Sequence, residues 1–522
     1  MQILAVIAPI AVLFLSVIAF RRSAFFSATA ALLCLWLISS FYWLMTPTRL
    51  LASSAKGFFI ATEIALIIFG ALLIFNLLKR VGFFSSFSHL LAGISKDLRV
   101  QVILIGLTVS AFIEGASGFG TPALVVVPLL MSLGFAPILS VTLALIGNSV
   151  PVMFGAVGLP VVYGLGSVLS SEQLVLPEFL RIISLVTPWV AALIALILVS
   201  VAVLGRGGGF RDILKTVPFA LLASLAFSLP TILTARFFGP ELPSLVGGGV
   251  GIVLIILLIR SRVALPSFIP DYLKVKEEKR EYKKMGILSF SPYILLVLLL
   301  VLSRLFFSSN LQNLWTISWP QLFGQVINYS FSPFYSIAFI MLITFIISWL
   351  LLDRTPSGLT KDLGNSFTKI IKPYFTLILL LAFVQTLMFS GDNLSGFASM
   401  PEAAAKAAQS LFGSLWPILA PWLGAIGAFV VGSATVSNLL FANFQYTTAL
   451  AGGFNTTVIV ALQSLGAAAG NMISLHNIVA ALTVAGLVGA EYKVIRKTIW
   501  PLIIYLIFLA IIFSVMSLLG IF

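Results

Sequence analysis

The chain has 522 residues, 60% of them hydrophobic and only 9% charged, with a net charge of +14 at pH 7. Soluble domains carry about 25% charged residues, so the composition excludes a soluble globular protein. It also argues against a nucleic-acid binder, because the basic residues sit in short loops between apolar runs. A single cysteine, Cys34, excludes an internal disulfide and a thiolate metal cluster.

A transmembrane helix needs about 20 apolar residues. The first run, near 2–20, lacks the basic flank and cleavage site of a signal peptide and reads as a span. Further spans are expected near 24–44 and 58–78. The apolar region 100–163 then resolves into no clean helix, being broken repeatedly by Gly, Pro, Asn and Ser. Spans near 182–204, 216–237 and 244–260 follow. The polar stretch from Arg260 to about Gly286 is too short and too charged to hold a core of its own. Spans near 287–305, 333–352 and 373–390 lead to a second interrupted region, 407–490, and a final span near 498–519. The expected fold is an all-α integral membrane protein of about 12–14 transmembrane segments, with broken helices and re-entrant hairpins in the two interrupted regions.

Cytoplasmic loops of membrane proteins are enriched in Lys and Arg. With Arg21 and Arg22 placed inside and the spans alternating, 24 of the 30 basic residues fall on inner loops. That puts both termini outside, if each interrupted region crosses an odd number of times.

The two interrupted regions resemble one another at an offset of 317 residues, which carries Ala111-Phe112 onto Ala428-Phe429, Gly115 onto Gly432, and Ala144-Leu145 onto Ala461-Leu462. The same offset relates their flanking spans, and the first unit begins inside whereas the second begins outside. An inverted repeat follows, an architecture of secondary transporters. Its parts are a first repeat over 1–210 with the broken unit 100–163, two linking helices in 211–262, a cytoplasmic basic loop at 263–286, and a second repeat over 287–522 with the broken unit 407–490.

No Lys or Arg occurs between Arg99 and Arg181, and in that stretch stands Glu114, inside AFIEGASGFGTP (111–122). An ionisable residue at bilayer depth usually faces a pathway. Low dielectric disfavours the charged form of a carboxylate or an imidazole, so Glu114 and His476 are the candidate proton carriers. Glu63, near the outer end of its span, reads as an interfacial residue. Neutral polar groups cluster at the breaks: Ser117, Gly118, Thr121 and Asn148 in the first unit, and Ser433, Thr435, Asn438, Asn471 and Asn477 in the second. These are the candidate substrate contacts, although small polar residues also hold helices together. A site without Lys or Arg suits a small monoanion held by half-helix N-termini, amides and hydroxyls. No metal or cofactor is expected.

Three blocks carry a resemblance over essentially the whole chain. They are AFIEGASGFGTPALV (111–125) with GNSVPVMFGAVGLPV (147–161); RFFGPELPSLV (236–246); and GAFVVGSATVSNLLFANFQ (427–445) through ALQSLGAAAGNMISLHNIVAA (461–481) to VIRKTIWP (494–501). At these motifs the chain resembles the lactate permease family of proton-coupled 2-hydroxymonocarboxylate transporters. The resemblance implies movement of lactate or glycolate with protons through a plasma or inner membrane. It places Glu114, the 471–477 segment and Glu241 of the GPELP turn in characteristic motifs without assigning their roles. The expected partners are the monocarboxylate, H+ and lipid, with self-association left open.

Three alternatives remain at this point. A sodium-coupled carrier of di- or tricarboxylates would favour extra positive charge at the site. A passive anion channel would ignore a pH gradient. A rhomboid-like intramembrane serine protease would use Ser117 of the Gly-Ala-Ser-Gly run at 115–118, with His476 as base within hydrogen-bond reach.

Overall fold

Apolar segments that cannot offer their backbone groups to water satisfy them internally as helices. The computed structural model describes residues 1–169, 175–266, 268–275, 286–487 and 489–521. The first half contains α1 Gln2–Ile18, α2 Ala24–Phe41, α3 Pro47–Arg80, α4 Phe83–Ala92, α5 Leu98–Ile103, α6 Ser110–Ser117, α7 Thr121–Ser132, α8 Pro137–Asn148, α9 Gly155–Val162, α10 Gly166–Leu169 and α11 Leu176–Gly205. The linking segment holds α12 Phe210–Leu214, α13 Val217–Phe238 and α14 Pro243–Arg260. The remainder comprises α15 Ser291–Leu305, α16 Ser308–Leu314, α17 Ile337–Leu352, α18 Pro356–Met388, α19 Met400–Phe412, α20 Trp416–Val431, α21 Ala434–Gly452, α22 Thr456–Gly470, α23 Leu475–Val484 and α24 Glu491–Leu518.

Among the described residues, eleven helical stretches are long and apolar enough to cross a membrane, or twelve with α8 and the 151–162 segment taken as one span bent by 56°. The apolar helices α1 and α17, of 17 and 16 residues, fall just short in length. The expected all-helical membrane fold with broken helices is the one observed. Two spans begin earlier than hydropathy indicates, since α3 starts at Pro47 and α18 at Pro356. Their first turns are polar and therefore invisible to an apolar-run reading, yet each carries a helix-starting proline. In α3 the Thr46 hydroxyl also caps the Arg49 amide at 3.3 Å.

One element has no hydropathy signature at all. Between α16 and α17, β1 Ile317–Trp319 pairs antiparallel with β2 Tyr329–Phe331, Trp319 lying opposite Tyr329. Much of the basic loop, residues 276–285, lies outside the described residues, as does Glu172.

The order of elements in one half recurs in the other. A long helix (α3, α18) is followed by a short one (α4, α19), a helix ending at a break (α6, α20), one starting from it (α7, α21), a second broken pair (α8–α9, α22–α23) and a long closing helix (α11, α24). The long helices α3 and α18 pack along each other. Every residue from Leu98 to Ser117 is buried, so this apolar stretch is surrounded by protein rather than lipid. Its start is anchored by Arg99, which is fully buried: its guanidinium meets Asp97 Oδ2 at 2.7 Å and the Phe268 carbonyl at 2.8 Å.

Candidate functional site at the helix breaks

Glu114 is placed by a sequence of close approaches. The backbone from α5 to α6 passes through a π-helical segment, Leu104–Val109, a geometry that recurs at functional sites. On α8, a Cβ at Gly147 would overlap the Gly106 carbonyl, so only glycine lets α8 lie this near. That proximity brings Asn148 across to Glu114: its amide donates to Oε2 at 3.0 Å while its own oxygen accepts from Ser110 Oγ at 3.0 Å. Glu114 is only 4% exposed.

The break after α6 consists of Gly118, Phe119 and Gly120, all with positive φ (56°, 50° and 79°). From it α7 starts at Thr121. In the second half, Gly432 (φ 75°) ends α20, and the Ser433 side chain caps α21 by accepting from the Val436 amide at 3.4 Å. In α9, Ala156, Val157 and Gly158 wind left-handed in succession (φ 45°, 56° and 75°). A β-branched residue rarely adopts that region, and such strain collects at functional sites.

These breaks enclose one cavity of about 20 Å3, lined by Glu114, Gly120, Ser433, Thr435, Asn471 and Asn477, with Gly155, Ala156 and Pro160 of α9 as a wall. It has room for about one water. No Lys or Arg lines it. The starts of α7 and α21 both border it, and first-turn amides lack partners within their own helices. Each start therefore presents partial positive charge to the cavity. Asn477 donates to Asn471 Oδ1 at 2.5 Å, leaving Asn477 Oδ1 buried without a hydrogen-bond partner.

The structure brings together five of the residues singled out by sequence: Glu114, Ser433, Thr435, Asn471 and Asn477. Asn148 stands behind Glu114 as its hydrogen-bond partner. Ser117 and Thr121 bond to each other at 2.6 Å, and the Ser117 hydroxyl also reaches the Ile113 carbonyl, so both brace the first break. Gly118 forms that break against Ala156. Asn438 donates to the Pro160 carbonyl at 3.0 Å and so holds the wall. His476 is exposed, packed beside Gly432 rather than lining the cavity. Among the described residues the Ser117 hydroxyl is bonded to the Ile113 carbonyl and Thr121, with no described bond to His476.

The rest of the lining, Phe119, Gly120, Val152, Gly155, Ala156, Pro160, Gly432 and Ala434, falls within the motif runs read from sequence, but none of these residues was singled out as a contact because none carries a polar side chain. Gly155 is the most informative of them, because a Cβ there would overlap the Glu114 carboxylate.

The sequence profile of the L-lactate permease family matches residues 2–520. The chain belongs to the L-lactate permease family. A relative in Haemophilus influenzae is 32% identical over 462 residues, 84% of each chain. The L-lactate permease of Escherichia coli is 26% identical over 520 residues, and the glycolate permease of the same organism 27% over 536, each covering 94% of this chain and 91% of the relative. Among solved structures, the YdaH transporter of Alcanivorax borkumensis is similar at a TM-score of 0.43 and 14% identity, over 89% of this chain and 88% of that one. The L-lactate permease family is one of transporters, not enzymes. With its apolar helices, this member is a multi-pass protein of the cell membrane.

Proposed function

We propose that the chain transports lactate or a close 2-hydroxymonocarboxylate, glycolate included, in symport with a proton. The supporting observation is a single cavity that joins Glu114 to two helix starts and to no basic side chain. Two half-helix N-termini balance about one negative charge between them, which matches one carboxylate better than two or three. The substrate carboxylate lies against the starts of α7 and α21, with Ser433 and Thr435 donating to it. Its 2-hydroxyl donates to the free oxygen of Asn477. Glu114 carries the coupled proton, so that charge is compensated during transit, and Asn148 orients it. Ser117, Gly118, Thr121 and Asn438 keep the breaks in shape, and His476 is the second proton candidate.

The two halves, 1–210 and 287–522, act as inverted repeats joined by the linkers at 211–262 and 263–286, and the recurring order of elements supports that reading. The cavity is too small for a three-carbon acid as it stands, so substrate enters when the halves part. The test is uptake in proteoliposomes of the purified protein. An inward proton gradient should accumulate labelled lactate, with glycolate competing and malate and citrate failing to compete. Accumulation driven by sodium alone, preference for citrate, or flux indifferent to pH would each overturn the proposal.

A further inference from the structure

A second, larger cavity of about 490 Å3 lies on the other side of α9. Gly155, Ala156 and Pro160 face the central cavity, whereas Val161, Val162 and Tyr163 face this one. The short helix α9 thus contributes to the walls of both cavities and stands between them. Its left-handed turn rests on the 239–243 turn, where a Cβ at Gly158 would overlap the Pro240 carbonyl. That turn is held by Glu241, whose Oε1 accepts from Arg304 Nε at 2.8 Å.

Glu63 of α3 is half-buried in the wall of this chamber and makes two unusual bonds. The Tyr163 phenol, at the end of α9, donates to its Oε2 at 2.9 Å, and the Tyr329 phenol of β2 donates to Oε1. One helical turn earlier, Phe59 stacks on Trp319 at 4.8 Å and on Tyr329 at 4.7 Å, so the hairpin is seated on α3 immediately above the carboxylate. Glu63 is therefore not a lipid-interface residue. It is a carboxylate set between an entrance and the partition that closes off Glu114.

We propose that Glu63 is the proton-loading carboxylate of the outer entrance, and that Tyr163 links it inward to the central site. This inference rests on the proton-symport reading above and on the orientation that puts the hairpin outside. Loading is a simple transfer: the carboxylate takes H+ from hydronium and leaves water. The ionisable groups of other elements facing Glu63, among the described residues, are Tyr163, Tyr329, Arg304, Glu241 and Tyr335, all bordering the chamber or bonded to Glu63. Tyr374 of α18 approaches from the opposite side, bonded to the neighbouring Thr62 at 2.9 Å. On its own helix Lys56 is turned away, over the Phe389 ring. None of these groups gives Glu63 a salt bridge, so its charge is free to change.

The test uses right-side-out vesicles containing the full chain, with outer pH varied at fixed inner pH. Glu63→Gln keeps the size and hydrogen-bonding ability of the side chain but cannot load a proton. It should lower proton-driven lactate accumulation on the order of tenfold or more and flatten its dependence on outer pH, while lactate counterflow at equal pH persists. Tyr163→Phe should lower proton-driven accumulation and likewise spare counterflow. A wild-type outer-pH profile in both variants would overturn the proposal. So would equal loss of counterflow and accumulation in both, which makes the pair a structural latch. Absence of proton-driven accumulation in the unaltered protein would instead remove the symport reading itself, and this inference with it.

Discussion

Asn438 and Pro160, 278 residues apart in sequence, are joined by a 3.0 Å hydrogen bond from the Asn438 amide to the proline carbonyl. The bond ties α21 of the second half to the α9 wall of the first. Asn438→Ala leaves that carbonyl buried and unpaired, which should cost about 1–3 kcal/mol of stability. The check is the thermal midpoint in detergent, and an unchanged midpoint would deny the contact any weight.

Among the described residues Asn148 is the one side-chain hydrogen-bond partner of Glu114, and no Lys or Arg lines the cavity. Glu114→Gln keeps the shape and a hydrogen bond to Asn148 but loses the exchangeable proton. Uphill lactate uptake should disappear while exchange of labelled for unlabelled lactate partly survives. Undiminished uphill uptake would take Glu114 out of the coupling mechanism.

Gly155 faces the Glu114 carboxylate so closely that a Cβ there would overlap it unless the Glu114 side chain shifted. Gly155→Ala should force the carboxylate or α9 aside, at about 1–3 kcal/mol, and should abolish transport in protein that still reaches the membrane. The measurement is uptake normalised to surface amount. The same change at Gly364, where a Cβ meets nothing within 4 Å among the described residues, is the control and should be silent.

The Glu241–Arg304 pair is largely buried, with side chains 11% and 15% exposed. Arg304 also donates to the Tyr335 carbonyl at 2.8 Å and lies over the Tyr335 ring. A double-mutant cycle with Glu241→Gln and Arg304→Gln should return a coupling energy of about 0.5–3 kcal/mol. Strictly additive effects would show that the pair does not act as a unit.

Near the end of α3, Arg80 bridges Asp353 at 2.6 Å and Asp362 at 2.7 Å. The Thr355 hydroxyl first, and then the Arg80 guanidinium, hold the Asp353 carboxyl below the usual aspartate range. A depressed carboxylate stabilises the fold above its unfolded value of about 3.9 and loses that contribution as pH falls through the lower folded value. The penalty of Asp353→Asn, about 1 kcal/mol for a pair whose side chains are 20% and 18% exposed, should therefore be constant through neutral pH. Melting curves at several pH values would show it vanish only in strong acid.

Much of this architecture is legible in the chain because lipid punishes exceptions. A Glu amid apolar residues, and interrupted helices in both halves, point to the candidate site before any coordinates do. Ser433, Thr435, Asn471 and Asn477 were recognisable for that reason. What could not be read was whatever depends on proximity rather than polarity. Gly155 and Pro160 stand in a recognisable motif, but their places beside the carboxylate and in the wall show only in three dimensions. His476 carries conspicuous chemistry, yet its helix turns it away from the cavity. Glu63 lies where interfacial residues are common, and only the hairpin that folds over it reveals a lined chamber. That hairpin itself is short, polar and silent to hydropathy.

The left-handed winding of Ala156, Val157 and Gly158 has a mechanical consequence. Glycine adopts that region freely, but Ala156 and Val157 cost about 1–3 kcal/mol each there and persist only where their surroundings impose them. The segment lies close to the Glu114 carboxylate at Gly155 and to the Pro240 carbonyl at Gly158, near enough that a Cβ at either glycine would overlap them. In the transport cycle proposed above, a movement that frees Ala156 and Val157 from their neighbours would let the coil relax toward its natural hand, so part of the work of opening would already be stored in the fold.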